Sequence, residues 1–162
     1  MKENYEPTLA FIMEHEGSKA TNIKGDRGGL TAAYGLTLKT MQTLHLDLDH
    51  DGDVDANDVK LVTKEVIDAA FRRYFWDAIG GDNLPAGIDL IAADVAWNSG
   101  TAKWRQFLKE GYDDDIDALV GRRIQFYRYQ ARNFPGQDKF LKGWLNRAEE
   151  SRVAAKELLN ER

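Results

Sequence analysis

Within HEGSKATNIKGDRGGLTAAYGLT, residues 15–37, two carboxylates and a threonine stand where they could do chemistry together. Glu16 closes a run of helical periodicity, Asp26 follows ten residues later, and Thr31 comes after the pair Gly28-Gly29. Such a set suits acid-catalysed cleavage of a glycosidic bond. That reaction needs a protonated carboxyl group for the leaving oxygen, and usually a second group to activate water on the opposite sugar face. A carboxyl group at the C-terminal end of a helix meets the negative pole of the helix dipole, which disfavours its ionised form. Partial burial in a cleft acts in the same direction. The glycine pair permits a tight hairpin that carries Asp26 and Thr31 back toward Glu16. Spacing alone leaves a blander reading open, because a solvated helix end and an ordinary turn contain the same residue types. Glu14 is the rival carboxylate, but no glycine follows it.

A second cluster reads DLDHDGDVDAND, residues 47–58, with six aspartates around one glycine. Like charges packed this densely destabilise a fold unless something neutralises them. Counted from Asp47, aspartates fall at positions 1, 3, 5, 7, 9 and 12, with Gly52 sixth and Val54 eighth. This resembles an EF-hand calcium loop: alternate residues turn oxygens inward, the sixth glycine permits the sharp turn, and the twelfth residue closes the shell. Asp47, Asp49, Asp51, Asp53 and Asp58 are the expected ligands, the seventh through its backbone carbonyl; the ninth position, Asp55, often works through water. Asp58 stands where glutamate is usual, as in dockerin-like loops, so the reach to the ion is shorter. The loop is single, which favours a structural brace over a paired-hand switch. A solvated acidic loop is the alternative.

The elements that must position these residues are almost all helical. Leu9, Ile12 and Met13 share a face of a helix over 4–16 that should stop near Gly17. The glycines at 25, 28, 29 and 35 predict turns and one or two short strands over 17–36. Thr37 should cap a short helix with Leu38, Met41 and Leu44 inward. Val59, Val62, Val66, Ala70 and Tyr74 predict one helix over 59–77. Further helices are expected over 86–98, from Thr101 with Trp104, Phe107 and Leu108 inward, over about 114–133, and over 137–160.

Composition bounds the rest. A chain of 162 residues with 43% hydrophobic side chains supports one globular domain over 1–162. There is no cysteine, which excludes disulfides and thiolate metal sites, and the three histidines lack paired zinc-ligand spacing. The five-residue apolar run near the N-terminus is too short for a signal peptide or a membrane anchor. Synthesis in the cytoplasm with later release to the cell wall is therefore expected. Residues 1–100 carry 9 basic and 17 acidic side chains, and residues 101–162 carry 13 and 10. The low pI thus belongs to one loop and does not exclude an anionic polymer as substrate.

The stretch from Glu16 to Thr37 resembles the motif of the N-acetylmuramidases of glycoside hydrolase family 108. In that family a helix ends in Glu-Gly-Gly-Tyr and is followed by Asp-x-Gly-Gly-x-Thr-x-x-Gly-Ile-Thr. Glu16-Gly17 match the first part, and Asp26, Gly28, Gly29, Thr31, Gly35, Leu36 and Thr37 the second, with Leu36 for isoleucine. YFWDAIGGDNLPAGIDLIAADVAWNSG (74–100) is similar to its Tyr-Trp-Asp and Asp-x-Ala-x-Asn-x-Gly segments, and FLKGWLNRAEESR (140–152) to its closing Gly-Trp-x-x-Arg helix. Ser18 and Lys19 depart from the pattern, and the calcium loop is no part of it.

The resemblance implies a lysozyme-like, mainly α single domain, with a small non-helical flap, a short β-hairpin, after the first helix. It implies Glu16 as general acid, with Asp26 and Thr31 orienting water or stabilising charge on the sugar. Trp97, Asn98, Trp144 and Arg147 are then possible cleft residues, or else core and helix-end positions. The expected activity is that of a monomeric phage-type endolysin cutting the β-1,4 bond between N-acetylmuramic acid and N-acetylglucosamine in bacterial peptidoglycan. A calcium ion would steady it, with no nucleic-acid partner and no membrane insertion. Lytic transglycosylation of the same bond, and a non-catalytic calcium module, are the alternatives.

Overall fold

The computed structural model describes residues 1–17, 21–22, 30–111 and 114–160, and the chain is mainly helical. Helix α1 (Tyr5–Glu16) is followed by strands β1 (Thr21–Asn22) and β2 (Leu30–Thr31). These pair antiparallel, Thr21 opposite Thr31 and Asn22 opposite Leu30, which is the short hairpin expected after the first helix. Next come α2 (Leu38–Leu44), α3 (Ala56–Leu61), α4 (Lys64–Phe71), a π-helical turn (Arg72–Trp76) and the single turn α5 (Asp77–Ile79). The remainder is α6 (Ile88–Ser99), α7 (Thr101–Lys109), α8 (Ile116–Asn133) and α9 (Leu141–Asn160). Among the described residues no helix is long and apolar enough to cross a membrane.

Local chemistry sets the boundaries. Gly17 leaves α1 at φ +73°, a conformation that glycine adopts without a Cβ penalty. Thr37 caps α2, its Oγ1 accepting from the Thr40 N–H at 3.1 Å, and Asp115 caps α8 by accepting from the Ala118 N–H at 2.7 Å. The helix expected over 59–77 is not continuous. Val62 turns extended, and Thr63 starts α4 by accepting from the Val66 N–H. The apolar spacing runs on through this break, so periodicity alone did not reveal it; the threonine cap did the cutting. Leu108, expected inward, is 36% exposed, whereas Trp104 and Phe107 of the same helix are buried.

The chain forms two compact units, Leu9–Tyr74 and Met1–Thr8 with Phe75–Arg162. The first has a core of Leu9, Ile12, Leu36, Met41, Val59, Ile67 and Phe71. Both α2 and α3 pack on β2 there.

The second unit is built on α6. Every residue from Ile88 to Ala96 is buried, as a helix apolar on most faces must be. Helices α7, α8 and α9 pack against it, and α8 runs along α9. Two aspartates are buried in α6. Asp89 accepts from Asn4 Nδ2 at 2.8 Å. Asp94 is 0% exposed and lies between two guanidiniums, 2.6 Å from Arg123 Nη2 and 2.7 Å from Arg147 Nη2. Asn98 Nδ2 donates to the same carboxylate at 3.0 Å. Burial alone would push the Asp94 carboxyl up; the Arg123 and Arg147 charges outweigh it and hold the group below its ordinary range.

Candidate active site

Glu16 is the last residue of α1 and is half-buried. The segment Thr31–Thr37 folds back over this helix end. Its own closure is a bridge between Thr31 and Thr37, with the Ala32 N–H donating to Leu36 O at 2.8 Å. Its tie to α1 is the Tyr34 N–H, which donates to Gly17 O at 2.9 Å. Tyr34 sits in the left-handed region at φ 64°, and this places Gly35 (φ +86°) directly on the Glu16 side chain. A Cβ at position 35 would fall 2.6 Å from Glu16 Cδ and nearer still to Oε2. The carboxyl group therefore occupies space that a Cβ at position 35 would fill.

This arrangement gives a direct prediction. Gly35→Ala displaces the Glu16 carboxyl group and strains a left-handed backbone position. If Glu16 is the acid, turnover falls about 100-fold, the cost of a displacement near 1 Å, while apparent KM changes little. Steady-state kinetics on soluble peptidoglycan fragments would measure it. An unchanged kcat would remove Gly35 from the site.

Thr31 belongs to β2, half-buried, with Thr21 and Thr37 as its strand neighbours. Asp26 and the pair Gly28-Gly29 lie outside the described residues, as do Ser18 and Lys19. Glu14 is exposed, one turn of α1 from Ala10. His15, beside Glu16, bonds through Nδ1 with Phe11 O at 2.7 Å.

The other expected cleft residues belong to the second unit. Asn98 and Arg147 converge on Asp94, as described above. Trp97 packs on Phe75 with ring centroids 4.8 Å apart. Trp144 stacks between Tyr127 at 5.3 Å and Phe140 at 5.8 Å. Arg123, which completes the Asp94 cluster, escaped sequence reasoning: it sits 29 residues from Asp94 in an ordinary amphipathic helix.

In the acidic loop, backbone N–H groups and aspartates form a ladder. Asp47 accepts from His50 at 2.6 Å and from Gly52 at 3.0 Å, Asp49 from Asp51 and Asp51 from Asp53. Gly52 has φ +100°, the conformation for which glycine was expected at the sixth position. Asp58 is 0% exposed and accepts from the Asp55 N–H at 2.8 Å and from the Leu48 N–H at 2.6 Å, bonds that pull its carboxyl group below the ordinary range. Carboxylate oxygens of Asp47, Asp49 and Asp58 lie within 4.8 Å of one another, as do those of Asp53, Asp55 and Asp58. Asp51 enters neither group. Lost hydration and the charges of Asp51, Asp58 and Asp47 push Asp49 up, and the Asp51 charge leads in pushing Asp53 up. The loop thus carries the repulsion that its composition implied.

A glutamate ending the first helix, with a short hairpin after it in a mainly helical chain, is the layout of a lysozyme-like glycoside hydrolase. The chain belongs to glycosyl hydrolase family 108, whose sequence model matches residues 9–100. It is accordingly a glycoside hydrolase that acts on peptidoglycan. Among solved structures, that of Brucella abortus SagA is similar over 98% of this chain and 97% of its own, with a TM-score of 0.81 and 24% sequence identity. That likeness shows the fold. No curated protein matches the sequence.

Proposed function

We propose that the protein is an N-acetylmuramidase of the endolysin type, cutting the β-1,4 bond between N-acetylmuramic acid and N-acetylglucosamine, with Glu16 as general acid. The observation that carries this is the seat of the Glu16 carboxyl group at the end of α1, close against Gly35, whose segment the Tyr34–Gly17 hydrogen bond ties to that helix end. General acid catalysis needs a proton donor held in one place. Glu16 gives its proton to the departing sugar oxygen. Thr31, paired with Thr21 and Thr37 beside that segment, and Asp26 orient the attacking water or meet positive charge on the ring. Mass spectrometry of digested cell walls tests the bond and the reaction together. New reducing muramic acid ends are expected. Reducing N-acetylglucosamine ends would move the cut to the other bond, and anhydro-muramyl ends would make the enzyme a lytic transglycosylase. Synthesis in the cytoplasm of an infected host, with release to the wall through a membrane lesion, completes this reading.

The acidic loop belongs to the same proposal as a calcium brace. Its donor set is all oxygen, the chemistry that a hard divalent cation takes. The two carboxylate groups meeting at Asp58 supply the close approach, and the raised Asp49 and Asp53 carboxyls supply the need for a counter-charge. Asp47, Asp49, Asp51 and Asp58 would hold the ion with the Asp53 carbonyl, and Asp55 would act through water. The loop joins α2 to α3, and both helices pack on β2, the strand that carries Thr31. A loop steadied by an ion therefore steadies the hairpin.

Calcium is expected to raise the unfolding temperature and a chelator to lower it. At a free concentration about 100-fold above Kd, linkage gives roughly 2.7 kcal/mol, or on the order of 5–10 °C for a chain of this size. Asp47→Ala or Asp51→Ala removes most of the gain and lowers activity with Glu16 intact, whereas His50→Asn, at an exposed left-handed position, keeps it. Identical melting curves in calcium and in chelator would leave the loop as surface charge.

A further inference from the structure

Along the last two turns of α1 lies an open groove of about 520 Å³. Leu9, Ala10, Met13 and Tyr34 give it an apolar floor, and Glu14, Lys64, Glu65 and Asp68 its charged rim. The rim holds three carboxylates and one ammonium, a formal balance of −2. Lys64 Nζ lies over the Tyr34 ring, 5.9 Å from its centroid. Glu65 takes a hydrogen bond from the Thr63 side chain, and this, with its own N–H and the Lys64 charge, holds its carboxyl below the ordinary range, so it is an anion at neutral pH. A groove of this kind suits a ligand with a short aliphatic arm ending in a cation.

The groove shares a wall with the Glu16 site. Tyr34 lines the groove, and its neighbour Gly35 touches the Glu16 carboxyl group. Along α1, Met13 is three residues and Ala10 six residues before Glu16, or about 4.5 and 9 Å at the helical rise. In peptidoglycan each muramic acid carries a stem peptide, whose third residue is a diamino acid with a free side-chain amine until cross-linking acylates it. Three extended residues reach about 10 Å. A stem attached to the sugar beside the scissile bond therefore delivers its third side chain to the distance at which this groove begins.

We propose that the groove is a subsite for the free ammonium of the diamino acid at the third position of the stem peptide, so that the enzyme distinguishes uncross-linked from cross-linked muropeptides. The inference rests on the reading of the protein as a peptidoglycan hydrolase. The methylenes of the side chain lie on Leu9, Met13 and Tyr34, and the ammonium meets Glu14, Glu65 and Asp68. Acylation removes the charge and adds bulk, and both changes oppose binding.

The test uses the full-length protein and two synthetic probes. One is the disaccharide tripeptide N-acetylglucosaminyl-N-acetylmuramyl-L-Ala-D-isoGln-L-Lys, and the other is the same molecule with the lysine amine acetylated. Titration calorimetry should show the free amine binding about fivefold more tightly, the scale of two or three exposed ion pairs. Glu14→Gln with Asp68→Asn, isosteric changes at exposed positions that cap no helix, should bring the two affinities together. An unchanged melting curve would verify the fold of that variant. Equal affinities in the wild type, or discrimination that survives in the variant, would overturn the subsite. So would concentration-dependent dimerisation of the wild type that the double substitution abolishes, since a second copy would then be the occupant. A wild type that digests cell walls while ignoring acetylation refutes the subsite and leaves the hydrolase reading intact. One that discriminates the probes while cutting no wall keeps the subsite and refutes the hydrolase.

Discussion

Glu16→Gln should end lysis of purified cell walls while leaving the thermal midpoint within about 2 °C of the wild type. Glutamine has the shape of glutamate, so it fits the space that Gly35 leaves and disturbs neither the Tyr34–Gly17 hydrogen bond nor the end of α1. What it lacks is a carboxylic proton. Removing a positioned general acid slows turnover by about 10²–10⁴-fold, and the poor leaving group of a glycoside puts this case toward the upper end. The effect should fall on kcat, since an amide still accepts and donates hydrogen bonds to a bound sugar. Glu14→Gln is the control on the same helix and should be mild toward whole walls. If Glu16→Gln kept more than about a hundredth of the activity, the acid would have to be sought elsewhere, with Glu14 first.

The largest stability effect is expected at Asp94. Two guanidiniums and an amide converge on this buried carboxylate from Arg123, Arg147 and Asn98. Asp94→Asn keeps the shape but leaves Arg123, itself 1% exposed, without a counter-charge. Breaking a buried pair from one side costs about 3–5 kcal/mol, on the order of 10 °C in Tm. Arg123→Met in the same background should recover part of the loss, because it removes the stranded charge. The pH dependence follows from the sign of the shift. The folded Asp94 carboxyl lies below its ordinary value, so its stabilisation is complete above about pH 4 and fades as pH falls through the lowered folded value. The gap in Tm between wild type and Asp94→Asn should therefore be constant near neutrality and close in strong acid. A gap that stays open at low pH would mean that the substitution acts through packing.

Short-range signals in the sequence were the readable ones. Gly17 ends α1, Thr37 caps α2 and Gly52 takes the left-handed turn of the acidic loop, because each depends on one residue and its immediate neighbours. The hairpin was legible as a strand signal, though Asp26 lies outside the described residues. Two features were not legible. The break at Val62–Thr63 hides within an unbroken apolar period, where the side chain of Thr63 competes with helix continuation over a single turn. The Asp94 cluster joins residues 94, 123 and 147 from three helices, and nothing local in α8 marks Arg123 as the buried one of two adjacent arginines. Asn98 and Arg147 stood out only through resemblance, and the structure gives both of them a charge to meet. Leu108 failed for a related reason, since a helical face predicts a direction and not whether a neighbouring helix covers it.

Asp58 accepts from Leu48 at one end of the acidic loop and from Asp55 at the other. One carboxylate thereby closes a ring of main chain from residue 48 to residue 58 with no covalent link. A protease that cuts between Asp49 and Val54 would sever the backbone without freeing either side, because both stumps remain fastened to the first turn of α3. The nicked protein should then run as two fragments in denaturant and as one particle in native buffer.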